Sequence, residues 1–267
     1  KELSVIKEVV GFSTDPRFSP DGAKLSFGSW GTNPGIRVEE LARGVSMRLT
    51  ATSNVCPVWS PDGKRILFCS FLGKVRPGIY QRNSDGTAEE KLFLPAEPSD
   101  PSVWPTSWSR DGRFILVVSG SGWNPIQNLW VLPLAGDGKR RLFVQSAFDG
   151  QFSPDGRWVA YTSIESGELQ VYVVPFDANA VLNTKPGDVA IPAGKWQISS
   201  SGGAIARWRG DSKEIFYRDP GPGQHMWAAE VDGSGTSFKA RKAQPLFRAA
   251  EWGADSQFDV TSDGKRF

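Results

Sequence analysis

Histidine is almost missing from this 267-residue chain: His225 is its one copy, and no Gly-x-Ser-x-Gly motif accompanies it. A serine hydrolase needs a nucleophile with a base beside it, so that chemistry is not expected here. His225 lies between a Gly-Pro-Gly turn and an apolar run and reads as a surface or strand-edge residue. Cysteine is scarce as well, with two copies, Cys56 and Cys69. A hairpin pairing Ser60 with Lys64 sets Cys56 opposite Phe68, one residue short of Cys69. Two buried thiols are therefore expected rather than a disulfide.

Charge of one sign is also lacking. Lys and Arg number 31 against 29 Asp and Glu, a net +2, with both signs mixed along the chain. That excludes the basic footprint of a nucleic-acid binder. No apolar run approaches the ~20 residues that cross a bilayer, and Lys1-Glu2-Leu3-Ser4 does not open a signal peptide. Sustained helical periodicity is hard to find, which leaves a nearly all-β reading. Gly120-Ser121-Gly122 and Gly233-Ser234-Gly235 have no following Lys-Ser/Thr or helix and read as linkers, not phosphate loops. No cofactor or metal is expected.

What the chain does have is glycine (29), proline (19), tryptophan (11) and phenylalanine (16). They are arranged in a repeat, and its clearest copy runs from Gln151 to Ser163. Phe152-Ser153 leads into the turn Pro154-Asp155-Gly156, and Trp158-Val159-Ala160-Tyr161 leaves it as an apolar run. Proline presets the first corner, Asp bonds the backbone two residues on, and Gly accepts positive φ, so the stretch reads as a tight β-hairpin. Equivalent hairpins carry Asp21, Asp62 and Asp111, a worn copy carries Asp211, and a sixth begins around Asp263.

Periods of roughly 40 to 55 residues, with room for four strands each, mark a β-propeller. Third strands follow the hairpins, as in Ile36–Leu41, Gly78–Arg82 and Asn128–Leu134, and fourth strands follow those, as in Lys91–Leu94. The expectation is one all-β domain over 1–267: six blades of four antiparallel strands, the last short of strands of its own and closed by the N-terminal strand Leu3–Val10. Because the sequence stops inside an expected strand, it reads as a piece of a longer protein. The departures from the repeat, Asp177–Lys195 and Asp219–Gly223, read as surface loops that could carry binding.

The turn Asp residues look like a ladder of carboxylates, but each sits in its own turn, and local N–H bonding accounts for all of them. Trp59, Trp108 and Trp208 share one repeat position with Phe18 and Phe152 and read as core. Trp104, Trp123 and Trp252 fall outside that position, among Pro, Gly and Ser, and are candidates for loop recognition. The innermost strand of each blade precedes the turn, which puts Asp15, Arg17, Asp149, Gln151, Arg207, Gln257 and Asp259 near the channel mouth. Different side chains at equivalent positions are how a symmetric ring becomes a specific pocket.

The repeat Phe/Trp-Ser-Pro-Asp-Gly-Lys/Arg resembles the WD40-like repeat of TolB-type propellers over essentially the whole chain. Asn128–Leu134, Gln151–Thr162, Val171–Phe176, Gly194–Ser199 and Ala206–Arg209 look like the C-terminal propeller of bacterial receptor-type serine/threonine kinases. That resemblance implies an extracytoplasmic sensor or protein-binding region of a membrane-anchored kinase, whose partner is a protein, a peptide or a small extracellular ligand. The kinase signatures themselves are absent, so no phosphoryl-transfer residue carries over and the chain is not expected to be an enzyme. Similar propellers also gate prolyl-oligopeptidase-type hydrolases or stand alone in the periplasm, as TolB does.

Overall fold

The computed structural model describes residues 13–31, 33–70, 77–97, 102–120, 127–185, 188–190, 192–220, 225–235, 237–248 and 257–267. The expected strand Leu3–Val10 lies outside them.

Strands β1 (Ser13–Phe18), β2 (Lys24–Ser29), β3 (Gly35–Glu40) and β4 (Val45–Arg48) form a first antiparallel meander. A second consists of β5 (Asn54–Trp59), β6 (Arg65–Ser70), β7 (Gly78–Asn83) and β8 (Lys91–Pro95). The third is β9 (Ser102–Trp108), β10 (Phe114–Gly120), β11 (Asn128–Pro133) and β12 (Arg141–Val144). The fourth runs β13 (Ala147–Phe152), β14 (Trp158–Ser163), β15 (Gln170–Pro175) and, after the helix α1 (Ala178–Asn183), β16 (Trp196–Gln197). In the fifth, β17 (Ala204–Trp208), β18 (Glu214–Arg218) and β19 (His225–Asp232) precede β20 (Lys239–Ala240) and β21 (Gln244–Arg248). Both of these last strands pair with the long β19, so the fourth position of that sheet is shared by two short pieces.

The turn chemistry explains why the hairpins form. Ser19, Ser60, Ser109 and Ser153 each donate from Oγ to the Oδ1 of the turn Asp two residues on, at 2.5 to 2.6 Å. That same hydroxyl accepts the N–H five residues on, at 2.9 Å in each case. Gly156 sits at φ 72°, the left-handed region that a Cβ disfavours by about 1–2 kcal/mol. The worn fifth copy keeps the geometry with other groups: Ser212 adopts φ 61°. Arg209, in place of Ser, donates to both oxygens of Asp211 at 2.8 and 3.0 Å.

Among the described residues there are five sheets, which corrects the expectation of six blades. The sixth repeat does form its turn, with Thr261 Oγ1 donating to Asp263 Oδ1 at 2.7 Å and Gly264 N to Thr261 O at 2.8 Å. Among the described residues, however, 257–260 enter no strand ladder. A turn is closed by its own few residues, whereas a blade exists only when further strands pair with the hairpin. A second correction concerns Asp177–Lys195, read as a surface loop that could carry binding. It holds α1, whose N-cap Asp177 accepts from Asn179 N and Ala180 N.

The chain divides into two compact units: Lys1–Pro105 with Ser256–Asp259 and Phe267, and Thr106–Asp255 with Val260–Arg266. In the first, Ile36, Val38, Leu49, Trp59, Ile66, Phe68 and Tyr80 form a core cluster. In the second, Trp158, Val171, Val173, Ala206, Trp208, Ile215, Tyr217 and Phe238 belong to a larger one. Trp59, Trp108, Phe152 and Trp208 are buried as their shared repeat position implied, while Phe18 is half-buried. Each large apolar side chain fully buried in this way contributes roughly 1.5–3 kcal/mol.

Candidate functional site

The inner strands share one irregularity. Pairing with the second strand slips between Thr14 and Arg17, Val55 and Val58, Phe148 and Gln151, and Ala204 and Arg207. Each slip is a β-bulge whose first residue is left-handed: Asp15 at φ 54°, Cys56 at 56°, Asp149 at 50° and Ile205 at 59°. In β9 the equivalent residue is Pro105, whose ring forbids positive φ. These strands are the edges of their sheets, so Pro16, Pro57 and Pro105 leave no ladder bond unmade.

The bulges aim the candidate side chains at the neighbouring inner strand. Asp15 Oδ2 accepts from Cys56 N at 3.3 Å. Arg17 Nη1 donates to Pro16 O at 2.9 Å, and the Arg17 carbonyl accepts from Trp59 Nε1 at 3.1 Å. Asp259 Oδ2 accepts from Phe18 N at 2.8 Å. Gln257, half-buried, lies two residues before it.

The second unit repeats this wiring. Gln151 Nε2 donates to Thr106 O at 2.6 Å, and the Gln151 carbonyl accepts from Trp208 Nε1 at 3.2 Å. Phe152 N donates to Ser107 Oγ at 3.2 Å, the counterpart of the bond from Phe18 to Asp259. Asp149 and Arg207 form a buried ion pair at 2.9 Å. Arg207 Nη1 also donates to Ala206 O at 2.7 Å.

Of the seven inner-strand candidates, the structure thus brings Asp149 and Arg207 into direct contact, and Asp15, Arg17, Gln151 and Asp259 hold main-chain groups. Sequence reasoning passed over Thr106, whose carbonyl takes part in the same wiring and leaves no mark in residue type; Ser107, at the varied position before Trp108, joins it through Oγ. Cys69 is a buried free thiol as expected, whereas Cys56, expected to be buried, is half-buried.

The loop candidates fare differently. Trp104 is a half-buried residue of β9, not a loop residue, because alternating burial carries that strand back to Ser102. Trp123 and Trp252 lie outside the described residues. His225 opens β19; its Nδ1 lies 3.4 Å from Asp219 Oδ2, and Trp227 Nε1 donates to the same oxygen at 3.3 Å. Among the described residues no three His, Cys, Asp or Glu side chains gather as a metal site, and no helix is long and apolar enough to cross a membrane.

Strand meanders of this kind superpose on known propellers. TolB from Acinetobacter baumannii matches with a TM-score of 0.65 at 16% identity, over 91% of this chain and 56% of that one. A TolB from Agrobacterium tumefaciens, described as putative, gives 0.66 at 17%, over 92% and 85%. The fold is a TolB-like β-propeller.

In sequence, 67 residues are 40% identical to the Tol-Pal system protein TolB of Alcanivorax borkumensis, covering 25% of this chain and 14% of that protein. An uncharacterized peptidase, YuxL of Bacillus subtilis, is 30% identical over 157 residues, 57% of this chain and 22% of the peptidase. The chain thus spans a small part of either relative. A prolyl endopeptidase structure matches with a TM-score of 0.53 at 15% identity, over 90% of this chain and 37% of that one. No protein-family model matches.

Proposed function

We propose that this chain is a non-catalytic binding propeller that takes a protein or peptide partner, and that it serves as the extracytoplasmic sensing region of a membrane-anchored signalling protein such as a serine/threonine kinase. The TolB likeness, in fold along the chain and in sequence over 67 residues, carries the binding part of this reading. The inner-strand wiring supports it. Arg207 and Asp149 are buried against each other, so recognition falls to groups around this rigid frame rather than to that pair. Partner binding acts by favouring one arrangement of the attached parts over another.

A free-standing TolB-like scaffold fits the same observations. The match to YuxL favours a further reading, in which the propeller gates substrate for a hydrolase domain.

The test is a thermal-shift and native-mass screen of the chain against peptides, sugars and cell-wall fragments, repeated with Arg17→Ala. A peptide that stabilises the chain and stays intact supports binding; peptide-bond cleavage by the chain overturns it. A kinase domain and membrane helix upstream in the gene supports the sensor, and a Gly-x-Ser-x-Gly domain downstream supports the gate.

A further inference from the structure

Asn54 breaks the pattern of its repeat position. It opens β5 opposite Ser70, just as Ala147 opens β13 opposite Ser163. Ala147 is an apolar core residue, whereas Asn54 carries a side-chain amide into the core at 1% exposure. Neither Nδ2 nor Oδ1 of that amide has a hydrogen-bond partner among the described residues. The Thr14 hydroxyl, in β1, is enclosed and unpartnered in the same way.

Register puts both groups between the first two sheets. Thr14 lies opposite Gly28 and Gly28 opposite Ile36, while Asn54 lies opposite Ser70, two residues beyond Phe68. Side chains directly opposite, or two residues apart along a strand, share a sheet face. Ile36 and Phe68 pack in one core cluster, so Thr14 faces the second sheet and Asn54 the first. A Cβ on Gly28 would lie 2.9 Å from Thr14 Oγ1, 3.1 Å from Asn54 O and 3.4 Å from Val55 Cα. The hydroxyl and the start of β5 thus border one point, where glycine places no side chain.

The fourth sheet treats the matching point differently. Thr162 stands there, opposite Phe148, and its Oγ1 accepts from Ile205 N, in the inner strand of the fifth sheet, at 3.1 Å. In the first sheet Asp15 takes the corresponding N–H, that of Cys56, and Gly28 supplies no hydroxyl.

We propose that the space bordered by Thr14, Gly28 and Asn54 is a binding site for internal water. A buried donor or acceptor left without a partner costs free energy, and an internal water makes about three hydrogen bonds to such groups. The occupant is small because the polar atoms are enclosed, and neutral because the groups that face it carry no charge. It both donates and accepts, since Nδ2 only donates and Oδ1 only accepts. The water bonds one end of the Asn54 amide and the Thr14 hydroxyl, which can take either part. It extends the tie from Asp15 to Cys56 up to the start of β5, and so joins the wiring of the first two inner strands.

The experiment is a high-resolution crystal structure of the chain, with water cross-relaxation at the Asn54 side-chain NH2 measured by NMR in solution. The expected result is a water within about 2.7–3.2 Å of Thr14 Oγ1 and of one Asn54 amide atom. Its cross-relaxation is expected to carry the sign of a molecule that stays longer than the chain takes to tumble. The double variant Thr14→Val with Asn54→Leu keeps the shapes, drops the polar groups and is expected to lose the water. An Asn54 amide bonded to protein groups alone overturns the proposal, as does a larger molecule or an ion at the site. So do the sign of freely exchanging solvent and a water that persists in the double variant. Should that variant fail to fold, the wild-type measurements decide alone.

Discussion

Arg207 Nη1 lies 3.1 and 2.9 Å from the two carboxylate oxygens of Asp149, and both residues are buried. Both also stand at inner-strand positions, Asp149 as a bulge residue with φ 50°. Removing one partner leaves an uncompensated buried charge. Arg207→Ala and Asp149→Ala are each expected to destabilise the chain by about 3–5 kcal/mol. Replacing both with apolar residues of similar size is expected to cost less than the two single changes added together. Urea unfolding of the two single variants and the double variant checks this, and additive losses contradict it.

The turn carboxylates give a pH dependence. The Ser60 hydroxyl, and next the Lys64 N–H, hold Asp62 below the usual carboxylate range; Ser19 acts likewise on Asp21, and Thr261 on Asp263. For Asp211 the leading cause is the Arg209 guanidinium. A carboxylate with a depressed folded pKa adds stability that is present above its unfolded pKa and is lost as pH falls through the folded value. Stability is therefore expected to fall below about pH 4. In denaturant melts followed from pH 7 to pH 3, Asp62→Asn should be less stable at pH 7 and should lose less on acidification.

Gly150 follows Asp149 in β13, and a Cβ there would lie 2.7 Å from both Leu129 methyl groups and 3.3 Å from a Leu116 methyl. Leu116 and Leu129 are fully buried, so they have little room to retreat. Gly150→Ala is expected to lower stability by about 1–3 kcal/mol through overpacking. A thermal melt equal to the wild type would show that Leu129 finds another rotamer without loss.

Trp59 and Trp208 tie inner strands through their indole N–H groups, to the carbonyls of Arg17 and Gln151. Phenylalanine keeps much of the apolar contact and drops the donor. Trp59→Phe and Trp208→Phe are each expected to cost about 0.5–1.5 kcal/mol for the lost bond, besides the loss from a smaller ring. Trp108 donates to Gly112 O, in its own hairpin, at 3.3 Å. Urea unfolding of the Trp59→Phe and Trp208→Phe variants checks the loss, and midpoints equal to the wild type contradict it.

How far the sequence could be read follows from the range of the forces involved. The Ser-Pro-Asp-Gly hairpins close through hydroxyl, carboxylate and N–H groups at most five residues apart, so their positions, and with them the meander sheets, were decided by local chemistry. The buried hairpin tryptophans were legible for the same reason, since a repeat position carries its packing with it. The number of blades was not, because the sixth turn forms from its own residues whether or not strands pair with it. Nor was the bulge, which is a slip in register between two strands and leaves no mark on either alone. That slip gave Cys56 the left-handed φ from which its N–H meets Asp15, and it set Asp149 at the left-handed φ from which its carboxylate meets Arg207. Residue type and turn spacing fixed what each hairpin is, whereas pairing between strands distant in sequence decided which inner-strand groups meet.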